Sequence, residues 1–108
     1  MDGRYTAPQD LGGRVNTSGQ EGMPFIAPDG SYLLFQRDLD LYVSFRAKDG
    51  SWTEAVSLGP RVNSEDQDLC PIVSADGKYL FFLSGRGGES HTWWVEAKVI
   101  EGLRVKGL

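Results

Sequence analysis

The chain has 108 residues, 40% of them hydrophobic and 24% charged, with 14 glycines and 5 prolines, a composition that fits one soluble globular domain of short strands and tight turns. Its formal net charge of −4, with no run of lysine or arginine, argues against a nucleic-acid partner. No apolar stretch approaches the roughly 18 residues of a membrane span, and the polar start Met1-Asp2-Gly3-Arg4 lacks a signal-peptide core, so the expected setting is cytoplasmic.

In chain order, a first strand is expected over about residues 5–11, followed by the link Leu11-Gly12-Gly13-Arg14-Val15-Asn16. Met23-Pro24-Phe25-Ile26-Ala27 reads as the next strand. The turn Pro28-Asp29-Gly30 joins it to Tyr32-Leu33-Leu34-Phe35, because Asp-Gly between apolar stretches supplies the positive φ that tight hairpins need. Leu39-Asp40-Leu41-Tyr42-Val43-Ser44-Phe45 alternates as a third strand, and Lys48-Asp49-Gly50-Ser51 turns the chain into a fourth, Trp52-Thr53-Glu54-Ala55-Val56-Ser57-Leu58. These four form a meander over about residues 23–58. Three further strands are expected over about residues 70–98, leaving a tail at 99–108.

The second set repeats the first. Leu11-Gly12-Gly13-Arg14-Val15-Asn16 returns as Leu58-Gly59-Pro60-Arg61-Val62-Asn63, and Pro28-Asp29-Gly30-Ser31-Tyr32-Leu33-Leu34-Phe35 as Ala75-Asp76-Gly77-Lys78-Tyr79-Leu80-Phe81-Phe82 (76 − 29 = 47). Gly85-Arg86-Gly87-Gly88-Glu89 is an insertion in the second copy, after which Trp93-Trp94-Val95-Glu96-Ala97 is aligned with Leu41-Tyr42-Val43-Ser44-Phe45 (95 − 43 = 52). A four-stranded unit of this period is the unit of an all-β propeller. The doubled Pro, Asp-Gly-x-Tyr-Leu-x-Phe, aromatic strand and Asp-Gly-x-Trp-Thr pattern resembles the WD40-like repeats of the TolB-type β-propeller family over roughly residues 2–98. That resemblance implies that the Pro24 and Pro71 strands line a central channel and the Trp52 strand lies outermost. It also admits a periplasmic location and a protein or peptide partner.

Asp2-Gly3 aligns with Asp49-Gly50 (49 − 2 = 47), so the chain reads as two periods divided between the third and fourth strands. A two-blade arc cannot close on itself, and each chain is expected to lend its strand at about 5–11 to a neighbour. Three chains would make the six-bladed ring that the resemblance favours, and two a four-bladed one; the competing expectation is a fragment of a longer propeller. The tail partly overlaps the outer-strand register, and is expected either to compete with the lent strand or to be displaced by it.

Catalysis is not expected. His91 is the only histidine, so neither a triad nor a histidine metal centre can be assembled, and no cofactor is implied. Cys70, the one cysteine, reads as a small buried apolar residue. Glu21 and Asp68, with Glu65 and Asp66 nearby, are expected at one channel mouth, where crowded carboxylates would attract a cation or a basic peptide. Oxygen ligands are dense over 63–68, although their spacing matches no EF-hand. Arg14 and Arg61 are expected to tie the blades by pairing with these acids, and Asn16 and Asn63 to cap turns. Features unique to the second copy, Arg86, Glu89, His91 and Trp93, are the loop candidates for binding. The expected function is a non-catalytic binding scaffold; the alternative is a small-ligand, carbohydrate-binding or hydrolytic propeller with a channel site.

Overall fold

A computed structural model describes residues 7–104. Tyr5 and Thr6 of the expected first strand, and residues 105–108 of the tail, lie outside them. The first sheet is an antiparallel meander of β1 (Glu21–Ile26), β2 (Tyr32–Arg37), β3 (Asp40–Phe45) and the two-residue β4 (Val56–Ser57). The second contains β5 (Asp68–Val73), β6 (Tyr79–Ser84) and β7 (His91–Glu96), and is followed by a four-residue helix, α1 (Lys98–Glu101). The protein is thus mostly β, with two open antiparallel sheets.

Both Asp-Gly hairpins form for the reason their sequence suggests. Gly30 and Gly77 take φ of 75° and 76°, while Asp29 Oδ1 accepts from the Ser31 N–H at 2.9 Å and Asp76 Oδ1 from the Lys78 N–H at 3.0 Å. The prolines are accommodated by a repeated bulge. The β1–β2 register shifts between Gly22 and Phe25 and the β5–β6 register between Leu69 and Ile72, with Met23 and Cys70 in the left-handed region at φ 49° and 55°. Proline cannot donate to a ladder, and a bulge lifts its position out of one. Cys70 is therefore half-buried at a bend, not the buried apolar residue its neighbours suggest.

The fourth strand is less regular than its sequence implies. Only Val56–Ser57 pairs with β3; Trp52 makes an isolated bridge to Arg46. Between them Thr53 stands in for the ladder, donating its N–H to Phe45 O at 2.8 Å and accepting the Phe45 N–H on Oγ1 at 2.9 Å.

The second unit departs from the 52-residue alignment. Phe35 lies opposite Tyr42 and Phe82 opposite Trp93, so the offset in the third strand is 51 (93 − 42). Because side chains alternate, this one-residue correction moves every β7 side chain to the other face. Trp94, not Val95, is the counterpart of Val43. Beyond β7 the tail does not enter the outer-strand register over its described part. α1 tucks Ile100, 1% exposed, against the core between the sheets, and β7 pairs with β6 alone among the described residues.

That core joins Leu34, Leu41, Val43 and Phe45 of the first sheet to Leu80, Phe82 and Val73 of the second, with Val62 of the link and Ile100. A smaller cluster of Val15, Leu33, Phe35 and Ala55 lies on the opposite face of the first sheet.

Candidate interaction surfaces

The repeated link residues build one polar network twice. Glu21 accepts from the Thr17 N–H at 3.2 Å and hydroxyl at 2.7 Å, and pairs with Arg37 at 2.9 Å. Asp68 accepts from the Ser64 N–H at 2.6 Å and hydroxyl at 2.9 Å, and pairs with Arg86 at 3.3 Å. Each arginine also donates to a link carbonyl 47 residues from the other, Arg37 to Val15 O and Arg86 to Val62 O. Each lies over aromatic rings, Arg37 over Phe35 and Tyr42, Arg86 over Phe82 and Trp93.

These contacts correct several expectations. The acids pair with Arg37 and Arg86 rather than with Arg14 and Arg61; Arg14 donates to the Trp52 carbonyl at 3.1 Å, and Arg61 forms no ion pair among the described residues. Side-chain reach is the reason. Arg37 leaves the end of β2 beside the first residue of β1, whereas Arg14 lies across the smaller core near Trp52. Arg86, expected as a feature of one unit, does for the second sheet what Arg37 does for the first. Asp68 is fully buried and its charge is met by Arg86, so it does not face solvent at a mouth. Glu65 and Asp66 are exposed nearby. Glu89 and His91 form an exposed pair at 3.3 Å, of the kind that adds little to stability. Trp93 is partly covered by Arg86.

The Thr17 hydroxyl, helped by Arg37 and opposed by partial burial, holds the Glu21 carboxyl below its ordinary value. Hydrogen bonds from Ser31, Ser51 and Ser74 do the same for Asp29, Asp49 and Asp76. A carboxyl lowered in the folded state contributes stability that is full above its unfolded pKa and lost as pH falls through the folded value. The thermal midpoint is accordingly expected to hold between pH 7 and about 5 and to fall below about pH 4. Calorimetry across that range checks it. Asp40 runs the other way: burial, with Asp68 adding repulsion, raises its pKa, so Asp40→Asn is expected to raise the midpoint at pH 7.

Asn63 does more than cap a turn. Its Oδ1 accepts the Leu41 N–H at 2.8 Å and its Nδ2 donates to Leu41 O at 3.0 Å, fastening the link to the edge of β3. The Asn16 side chain bonds only Asp10 Oδ1, at 2.9 Å, among the described residues.

The apolar faces carry the clearest asymmetry. Phe25, Leu34 and Val43 form a cross-strand row on the first sheet, and the second sheet covers it. Their counterparts Ile72, Phe81 and Trp94 form the same row on the second sheet, where they are 55%, 38% and 59% exposed. Tyr79 stands edge-on to Trp94 at 5.4 Å and extends the patch. An open groove of about 630 Å³ runs from these rings past Lys98 and Glu101 of α1.

The opposite end of the molecule shows the complementary deficit. Leu58 and Val73 are buried in the joint between the sheets, at 4% and 5% exposure, yet their counterparts Leu11 and Ile26 are 45% and 51% exposed. A groove of about 300 Å³ opens there among Leu11, Val15, Asn16, Pro24, Leu33 and Phe35. Sequence reasoning missed Phe81 and Trp94 because the misplaced register of β7 hid their alignment, although their alternation with Leu80 and Phe82 was a signal.

Among the described residues no group of three or more His, Cys, Asp or Glu is placed to hold a metal ion, and no helix is long and apolar enough to cross a membrane. Compared with models of protein families, with curated proteins and with solved structures, the chain matches none.

Proposed function

We propose that this chain is a non-catalytic β-propeller module that assembles head to tail with copies of itself into a closed ring, a scaffold that takes a protein or peptide at its channel mouth or loops. The exposed row Ile72, Phe81 and Trp94 carries this reading, because the equivalent row Phe25, Leu34 and Val43 is covered by a sheet of the same chain. A sheet face of this kind left in water is costly, and the sequence already encodes its cover. The face that covers the first row carries Leu80 and Phe82; its counterpart carries Leu33 and Phe35, packed under Val15 and Ala55, with the groove beside them and Leu11 and Ile26 exposed.

The strand edges support the same joint. Ala97 N–H bonds inward to Lys78 O as Arg46 N–H does to Ser31 O, so the backbone groups of Thr92, Trp94 and Glu96 point outward from β7. In the first sheet the corresponding edge is covered by β4 and Thr53. Residues 7–11, which correspond to 54–58, are irregular and exposed, available to lie along a neighbour's β7.

Light scattering is expected to give a mass near three chains, the number that supplies six blades. A monomer at all concentrations would sink the ring. Deleting residues 1–11 is expected to abolish the oligomer; an intact trimer after that deletion would rule out exchange of this strand.

A further inference from the structure

We propose that the Asn16 carboxamide is a strand-capture site for a second copy of this chain, taking the backbone N–H and C=O of Thr92 on that copy's β7; this rests on the head-to-tail reading above. The chain contains the finished version of the contact. Asn63 grips both backbone groups of Leu41 while its Nδ2 also reaches Ser57 Oγ at 3.0 Å. Asn16 has the same frame without the strand. Its N–H bonds Gly12 O at 2.8 Å as that of Asn63 bonds Gly59 O at 2.8 Å. Its Nδ2 reaches Asp10 Oδ1, the counterpart of Ser57 Oγ (57 − 10 = 47). Asp10 and Ser57 each brace the following glycine N–H, at 2.7 and 3.1 Å. Among the described residues the Asn16 Oδ1 accepts no hydrogen bond, and the side chain is half-exposed at the rim of the groove.

The β-ladder names the occupant. Leu41 lies opposite Gln36 and Thr92 opposite Leu83 (83 − 36 = 47), so Thr92 holds the place of Leu41 in the second sheet. Its N–H and C=O face out from an edge that pairs with nothing among the described residues. Apolar faces attract without direction and tolerate sliding. One carboxamide bonded to both groups of one residue does not, because a one-residue slip turns those groups inward and flips every side chain. Asn16 therefore sets the register of the joint, while the aromatic row supplies its attraction.

Amide hydrogen exchange on the wild-type chain, run at a concentration where it is assembled and again on dilution to monomer, reads the contact directly. The Thr92 amide is expected to be protected at least about 100-fold in the assembly and to lose that protection on dilution. Asn16→Ala is expected to weaken association at least about tenfold and to free the Thr92 amide while leaving that of Trp94 protected. An assembly in which Thr92 exchanges as fast as in the monomer, or an Asn16→Ala chain that associates as tightly as wild type, would overturn the role of Asn16 and leave the ring standing. A chain that never assembles would overturn both.

Discussion

Asp68→Ala is expected to destabilise the fold by about 2–4 kcal/mol, read as a fall in the urea midpoint. The carboxylate is fully buried and accepts both the N–H and the hydroxyl of Ser64 while facing Arg86. Its removal leaves the Ser64 N–H without an acceptor and a partly buried guanidinium without its counter-charge, although Arg86 keeps Val62 O and Ser84 Oγ. Asp68→Asn preserves an oxygen for Ser64 and is expected to cost less. Glu21→Ala, in the same network one unit earlier, is expected to cost less than Asp68→Ala, because the Glu21 side chain is more open to water, at 12% exposure against 0%. Equal losses at the two positions would show that burial does not set the scale.

The double variant Phe81→Glu, Trp94→Ser is expected to leave the monomer folded and to weaken assembly at least about a hundredfold. Neither side chain belongs to the core between the sheets, so the unfolding free energy is expected to stay within about 1 kcal/mol of wild type. At the joint the same two changes are expected to remove two aromatic contacts and to place a carboxylate on an apolar face, a penalty of several kcal/mol. Light scattering and far-UV circular dichroism separate the two effects. A trimer that persists with native circular dichroism would show that the row Ile72, Phe81, Trp94 is not the interface. The same variant is the proper background for the Asp68 series, since association would otherwise add to apparent stability.

Both sheets, their antiparallel order and their Asp-Gly hairpins were legible in the residues, because turn chemistry is local. Gly30 and Gly77 need only their neighbours to specify a hairpin. The bulges at Met23 and Cys70 were less visible, since the proline that demands them says a ladder bond is missing but not which residue bends. The polar network was half legible. The recurrence of Glu21 and Asp68 marked them as parts of the unit, while the arginines that meet them lie at unequal spacing, 16 residues on in one case and 18 in the other. Arg37 leaves a strand end and Arg86 a 3₁₀ turn, Arg86–Gly88, so only the folded backbone brings both guanidiniums to the same place.

The sequence by itself determined that the chain is one unit stated twice, with the strands, turns and link residues of that unit, because each of these follows from chemistry within a few residues. The tertiary structure decided which side of the second sheet each aromatic occupies, what α1 covers and which apolar row is left open. Trp93 and Trp94 are adjacent and both aromatic, so the hydrophobic pattern fits either of two registers one residue apart. Only the ladder from β6 to β7 chooses between them, and that choice places Trp94 beside Phe81 on the uncovered face.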